Sequence, residues 1–455
     1  MSNPRITPIG LNQITIEDAF WRRRIETNRC NTLPIEYQLL KATGRIDTWR
    51  PEYQYDEKSV RPEFWDSDLA KWLEAASYSL MQHPDPELAQ QVDEVIDLIA
   101  AAQQPDGYLN SYFIRTGLEK RWRNIRDFHE LYCLGHLIEG AVAHYQATGK
   151  RKFLEVMQRA ADHATTVFGR GEGQLPAYPG HQEIELALVK LYHLTGEERY
   201  LRLAQFFVDE RGQSPHYYDV EAYRRGEHPS GFEFPSYTYN QSHQPVREQT
   251  EVVGHSVRAL YLYTGMAMVA AETGDQSLID ACHRLWQNLT EKKLFVTGGA
   301  GATYHHEGFS FDYDFPDETA YIETCASVAL VFWAQQMFHL SPNRRFTDVM
   351  ERVLYNSALS GVALDGKKFF YANPLAAFPG ITPHGGYSAD GAHHQRSEWF
   401  GVSCCPPNIA HIGRVLGSMS TRCKRRPFTL ISLSPRPPTE LAGVPATIRQ
   451  TTDYP

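Results

Sequence analysis

Apolar residues recur at helical spacing through long segments of the chain, and short turns rich in Gly, Pro or Asp interrupt them. Four interruptions share one pattern: a helix ends in a small turn and a second begins about four residues later on an aromatic or apolar anchor. They are Gln146-Ala-Thr-Gly149 before Phe153-Leu154, His193-Leu-Thr-Gly196 before Tyr200-Leu201, Ala271-Glu-Thr-Gly274 before Leu278-Ile279, and His339-Leu-Ser-Pro342 before Phe346. Glycine supplies the left-handed residue that closes a helix. An earlier pair, predicted at 67–81 and 87–103 around His83-Pro-Asp-Pro86, extends the series. Successive turns lie 47, 78 and 68 residues apart, so the hairpins carry inserted loops of unequal length and are not a strict repeat array. Five or more such hairpins predict a mainly α fold, an (α/α) barrel with a pocket built by loops at one end. A helical scaffold for binding other proteins has the same periodicity.

The periodicity stops near residue 421. The expected division is a helical barrel with an N-terminal extension over 1–420, then an irregular linker and the opening of a β-sandwich domain over 421–455, cut short by truncation or a frame error. Of the 455 residues, 42% are hydrophobic and 22% charged, enough to form a core without staples. The net charge of −9 is spread without long runs of one sign, which argues against nucleic-acid and membrane-surface partners. The longest apolar run, 325–334, is far below a membrane span, and no signal-peptide pattern follows Met1, so a cytoplasmic protein is expected. Seven cysteines, an odd number, speak against a disulfide framework and ask another explanation for any that cluster.

They cluster at Glu323-Thr-Cys325 and, 79 residues on, at Cys404-Cys405. Three thiolates and a carboxylate would complete a tetrahedral Zn²⁺ site; inert buried thiols are the plainer alternative. Pro406-Pro407 restrict the backbone beside the pair. A long polar loop through Gly298-Gly-Ala-Gly301 and Phe315-Pro-Asp-Glu-Thr319 leads into the Glu323 helix and carries Glu307. That carboxyl is a general acid or base if apolar walls raise its pKa, and an ordinary surface Glu otherwise. His129, His181 and His255 each stand near the start of a predicted helix and would converge if those helices share one end of a barrel. Trp65, Tyr371, Tyr387, Asp66 and Glu351 would add a polar, ring-stacking lining suited to a sugar, although singly each is as well explained by the core or a helix surface.

These residues sit in Phe64-Trp-Asp-Ser-Asp-Leu-Ala-Lys-Trp72, Ala102-Gln-Gln-Pro-Asp-Gly-Tyr-Leu109, His129-Glu-Leu-Tyr-Cys-Leu-Gly-His136, Pro179-Gly-His181, Glu251-Val-Val-Gly-His255, Asp317-Glu-Thr-Ala-Tyr-Ile-Glu-Thr-Cys325 and Ser403-Cys-Cys-Pro-Pro-Asn408. Across about 16–419 the chain closely resembles glycoside hydrolase family 127, the retaining β-L-arabinofuranosidases. The resemblance implies an (α/α)6 catalytic barrel with Zn²⁺ held by Glu323, Cys325, Cys404 and Cys405. It implies that Cys404 is also the nucleophile, that Glu307 is the general acid/base, and that His129, His181, His255, Glu351 and Tyr371 line the sugar pocket. The implied reaction is a double displacement that releases terminal β-L-arabinofuranose from a small carbohydrate or glycoconjugate. Three rivals remain open: a glycosidase of other sugar specificity or with Glu323 as a carboxylate nucleophile, a sugar epimerase or isomerase, and an inactive zinc-stabilised carbohydrate-binding protein. A homodimer is compatible with the sequence.

Overall fold

The computed structural model describes residues 11–16, 18–376 and 395–412, together with the backbone of 6–8, 420–423, 426–430 and 446–448. In chain order its helices are α1 (Ala19–Thr27) and α2 (Leu33–Ala42), the hairpin α3 (Trp65–Gln82) and α4 (Pro86–Ala102), and the short α5 (Ser111–Thr116). The hairpins α6 (Glu130–Thr148) with α7 (Lys152–Val167) and α8 (Ile184–Thr195) with α9 (Glu198–Glu210) follow, then α10 (Tyr217–Arg224). The series ends with α11 (Ser256–Thr273) and α12 (Gln276–Asn288), α13 (Thr324–Leu340) and α14 (Arg344–Val353), and α15 (Cys405–Ala410).

The predicted hairpin turns are built as expected. Gly149, Gly196 and Gly274 close α6, α8 and α11 with φ of 71°, 76° and 69°, and each backbone N–H returns to a carbonyl four residues back. Three of the returning helices, α4, α12 and α14, start on side-chain caps: Asp85 accepts from the backbone of Glu87 and Leu88, Asp275 from that of Ser277 and Leu278, and Asn343 from that of Arg345. Helices α6, α11 and α13 are buried around most of their circumference, whereas α7, α9 and α12 bury one stripe. That difference sorts them into two layers. Helix α3 packs on α6, α6 on α8, α8 on α11, α11 on α13, α13 on α15, and α15 back on α3, closing an inner ring. Helices α4, α7, α9, α12 and α14 each back their inner partner, and α2 covers α3 and α15. The fold is the (α/α)6 barrel that the hairpin pattern and the family resemblance predict.

The sixth inner helix is short. Its closure is secured by polar contacts as well as packing: His411 Nδ1 lies 3.0 Å from Glu74 of α3, Asn408 donates to the Tyr261 hydroxyl of α11 at 3.1 Å, and Asn28 donates to the Ala410 carbonyl at 2.8 Å. Outside the ring, β1 (Ile6–Pro8), β2 (Ile14–Ile16), β3 (Ser420–Cys423), β4 (Arg426–Leu430) and β5 (Ala446–Ile448) form two small sheets. Strand β3 lies antiparallel to both β1 and β4, and β2 runs parallel to β5. Short strands thus lie within the stretch expected to hold an irregular linker and the opening of a β domain, the first of them beginning at Ser420. Pro427 falls within β4, at the sheet edge, where a missing N–H is tolerated.

Candidate active site

Two helix starts bring the acidic and thiol groups together. Glu323 is the residue before α13 and Cys325 lies in its first turn, while Cys404 precedes α15 and Cys405 begins it. The ligand atoms of all four lie within 4.8 Å of one another. Cys325 Sγ is 3.4 Å from Cys405 Sγ, the Cys404 and Cys405 sulfurs are 3.8 Å apart, and Glu323 Oε1 is 3.5 Å from Cys404 Sγ and 3.7 Å from Cys405 Sγ. A tetrahedron with metal–sulfur bonds of about 2.3 Å has edges of about 3.8 Å, so the residues fit a small divalent cation. Glu323 Oε2 is buried without a hydrogen-bond partner, and burial pushes the Glu323 carboxyl and the Cys405 thiol well above their ordinary pKa ranges. A bound cation would reverse that penalty.

Cys404 differs from its neighbours in exposure. Cys325 and Cys405 are buried, but Cys404 is partly open and lines a cavity of about 590 Å³ at the loop end of the ring. Tyr371 Oη stands 3.1 Å from its sulfur. The Tyr371 segment is docked on the start of α13: Thr324 N–H donates to the Tyr371 carbonyl and the Thr324 hydroxyl to that of Phe370, at 2.9 and 2.7 Å.

Glu307 is held on the same cavity by the loop between α12 and α13. His306 and Glu307 both have left-handed backbones, with φ of 52° and 55°, a strained conformation for non-glycine residues of the kind found at functional sites. One Glu307 oxygen accepts from the Tyr321 hydroxyl at 2.5 Å and the other faces His255 Nε2 at 3.0 Å. The His255 tautomer follows from its neighbours. Its Nδ1 accepts from the backbone N–H groups of Val257 and Arg258 at the start of α11, so the neutral ring carries its proton on Nε2 and donates to Glu307.

His129 and His181 have the opposite arrangement. Their Nδ1 atoms meet the carbonyls of Asp127 and Gln182 at 2.9 and 3.0 Å, leaving Nε2 as the acceptor. Burial, and next the Arg258 guanidinium, hold both well below the ordinary histidine pKa, so they are neutral. The three imidazoles form a row, with ring centres 5.3 Å apart from His129 to His181 and 5.6 Å from His181 to His255. Glycine makes the row possible. A Cβ on Gly180 would lie 1.8 Å from the Arg126 carbonyl, and one on Gly254 would lie 1.9 Å from that of Thr238. The Gly-His pairs thus mark places where another loop presses on the backbone just before the ring.

The cavity lining therefore unites Cys404, Cys325, Glu323, Glu307, Tyr371 and the three histidines. It leaves out three residues expected there. Trp65 is buried, donates to the Val60 carbonyl and lies under Arg45; Asp66 accepts from the backbone and hydroxyl of Ser111. Both are structural. Side chains two positions apart on a helix point about 200° apart, so Asp68 reaches the cavity wall and Asp66 does not. Glu351 belongs to the outer helix α14, where it is half-buried and away from the lining. Tyr387 lies outside the described residues.

The family model described as "Beta-L-arabinofuranosidase, GH127 catalytic domain" matches residues 13–417. The chain belongs to this family. A curated relative, the non-reducing end β-L-arabinofuranosidase of Bifidobacterium longum subsp. longum, is 41% identical over 432 residues. That alignment covers 88% of this chain and 64% of the relative, so the chain spans less than two thirds of that protein's length. Among solved structures, a GH127 β-L-arabinofuranosidase from Geobacillus stearothermophilus T6 superposes with a TM-score of 0.84 at 49% identity, covering 89% of this chain and 64% of that one. A second GH127 β-arabinofuranosidase superposes with a TM-score of 0.80 at 40% identity, covering 92% and 63%.

Seen as a GH127 site, the cavity lining and the side chains behind it include residues that sequence reasoning passes over. Arg258 is buried against the face of Tyr239 with its Nε unpartnered, Tyr132 stands beside His181 with ring centres 4.0 Å apart, and Tyr321 anchors Glu307. Each lies near a residue that was singled out, and proximity in the chain to the Gly-His and Glu-Thr-Cys motifs is the only signal that points to Arg258 and Tyr321. No helix among the described residues is long and apolar enough to cross a membrane.

Proposed function

We propose that this protein is a retaining glycoside hydrolase that removes terminal β-L-arabinofuranose, with Cys404 as nucleophile and Glu307 as general acid/base. The observation that carries the reading is the meeting, on one cavity, of a partly open sulfur inside an otherwise buried thiol and carboxylate cluster with a carboxyl gripped at both oxygens. Glu323, Cys325, Cys404 and Cys405 would hold Zn²⁺, which when bound would favour the thiolate forms and would stabilise sulfur as a leaving group.

Burial alone would raise the Glu307 carboxyl, but His255 and then Tyr321 outweigh it and hold the carboxyl below its ordinary range, contrary to the rise expected from apolar walls. Glu307 must therefore take up its proton in the substrate complex. Cys404 attacks the anomeric carbon through an oxocarbenium-like transition state while Glu307 gives that proton to the departing oxygen. Glu307, now a carboxylate, takes a proton from water as the water attacks the thioglycosyl carbon, and the sulfur leaves. Two inversions retain the configuration. Because His255 presents Nε2–H to one oxygen, the mobile proton of Glu307 belongs on the oxygen facing Tyr321, whose hydroxyl turns from donor to acceptor between the two states. The free Nε2 atoms of His129 and His181 accept from sugar hydroxyls.

Glu307 and Glu323 bring carboxylate oxygens within 4.8 Å of each other. Inverting enzymes separate their two catalytic carboxyls by roughly 6.5–9.5 Å to admit water, so this closer pair does not fit a two-carboxylate inverting mechanism. The same spacing also suits a second reading with Glu323 as nucleophile. Intact-protein and peptide mass spectrometry after treatment with an arabinofuranosyl epoxide or haloacetamide separates the two. An adduct on Cys404 is expected; labelling confined to Glu323 overturns the assignment. The substrate class is tested on the same preparation with para-nitrophenyl furanosides and pyranosides.

A further inference from the structure

Each inner helix brings one chemical group to the cavity at or near its start. Cys404 does so for α15, His129 for α6, His181 for α8, His255 for α11 and Glu323 for α13. In α3 the corresponding group is Asp68, which lies in the first turn and on the cavity lining. Because α3 packs between α15 and α6, Asp68 stands in the ring between Cys404 and His129.

The Asp68 carboxylate is held from one side only. Its Oδ2 accepts from Arg45 Nε at 2.7 Å, and both side chains are almost wholly buried. Arg45 reaches in from the turn after α2, donates through Nη2 to the Gly401 carbonyl at 2.9 Å, and lies over the Trp65 and Trp399 rings, 4.9 and 5.5 Å from their centres. A buried ion pair adds little to stability once desolvation is counted. This one fixes a direction. With Nη2 given to Gly401, Arg45 makes no two-armed grip on the carboxylate and takes a single oxygen. Among the described residues that carboxylate accepts no other hydrogen bond. Gly401 precedes Cys404 by three positions, so one guanidinium ties Asp68 to the segment that carries the sulfur.

We propose that Asp68 is a further sugar-binding residue: its Oδ1 accepts from a hydroxyl of the arabinofuranosyl unit, and Arg45 is the residue that positions it. A carboxylate makes a stronger bond to a hydroxyl than a neutral imidazole does. With the acceptor Nε2 atoms of His129 and His181, Asp68 makes this arc of the wall a row of acceptors, which a neutral polyhydroxyl ligand satisfies. The inference rests on the arabinofuranosidase reading of the cavity.

The test is a variant-by-substrate cycle on the full chain. It compares kcat/KM of wild type and Asp68→Asn on para-nitrophenyl β-L-arabinofuranoside and on its 2-, 3- and 5-deoxy analogues. Asparagine keeps the size, but Arg45 takes its amide oxygen and turns the NH2 group toward the sugar, a donor where an acceptor stood. Asp68→Asn is expected to lose about 10–100-fold on the parent glycoside, the usual worth of a hydrogen bond to a charged group. On the one analogue that lacks the hydroxyl held by Asp68, the loss should shrink to about 2–3-fold. The inductive effect of a missing hydroxyl is common to both enzymes and cancels in the cycle. Equal losses on the parent and every analogue overturn the proposal and leave Asp68 a structural partner of Arg45. Helical circular dichroism reports folding. If Asp68→Asn does not fold, Asp68→Glu decides, because it keeps a charge for Arg45 while displacing the second oxygen, and wild-type kcat/KM on the parent and every analogue there overturns the proposal. A folded, metal-loaded wild type that cleaves none of these arabinosides overturns the arabinofuranosidase reading itself.

Discussion

Glu307 is unusual in being held at both oxygens, by the Tyr321 hydroxyl on one and by His255 on the other. Replacing it with Gln keeps the size but removes the proton that travels. Glu307→Gln should lower kcat on an arabinoside with a poor alkoxide leaving group by about 10²–10⁴-fold, the usual worth of a general acid, and by much less on a nitrophenyl leaving group that departs unaided. An equal loss on both would mean that Glu307 orients the sugar and transfers no proton. At this scale the sequence is informative where chemistry demands a rare residue type. Three thiols and a carboxylate have few other uses, so the cluster is legible from Glu323-Thr-Cys325 and Cys404-Cys405. Trp65, Asp66 and Glu351 show the opposite case. An acidic or aromatic residue in a helix has many possible surroundings, and the 100° step per residue decides that Asp68 faces the cavity and Asp66 faces Ser111. Arg45, Tyr321 and Arg258 read as ordinary residues until their burial is known.

At the scale of elements, the hairpins follow directly from the periodicity and from Gly149, Gly196 and Gly274, whose left-handed backbones are what the turns require. The loops that carry the site are harder to foresee, because they are held by contacts distant in sequence. The loop before α6, which bears Arg126 and His129, is fastened by Glu221 of α10, which accepts from Ile125 N–H at 2.6 Å and faces Arg225 at 3.1 Å. It is fastened again by Glu130, which accepts from the Trp122 N–H at 2.9 Å and from the Tyr108 hydroxyl. Burial raises the Glu221 pKa to about 7 and that of Glu130 to about 8, against 4.5 for a free side chain. The folded protein therefore keeps these protons after the unfolded chain has released them. Their contribution to stability is fully present below pH 4.5 and is lost as pH rises through about 7 to 8. Thermal unfolding followed by circular dichroism should show Glu221→Gln with a flatter dependence on pH between 5 and 8 than wild type, even if its melting temperature is lower throughout. An unchanged slope would count against the assignment.

Over the whole molecule, the four candidate metal ligands come from the starts of α13 and α15, the fifth and sixth helices of the inner ring. A metal there would act as a clasp between the fifth stave and the sixth. Removing it with a chelator should abolish activity and also lower the melting temperature, with zinc restoring both. Loss of activity without any change in melting would place the ion in a purely chemical role. The ring was legible in outline from five hairpins. Its closure was not, because α15 is only six residues long, too short for periodicity to announce.

That short stave also sets an order of events. Helices α3 and α15 touch across more than three hundred residues of intervening chain, a contact of the slowest-forming kind. During synthesis on the ribosome, five staves emerge and can associate before Cys404 has been translated. If Cys404 is the nucleophile proposed above, the capacity to cleave a glycoside would be acquired in the same step that shuts the ring, and a precursor of five staves would lack it.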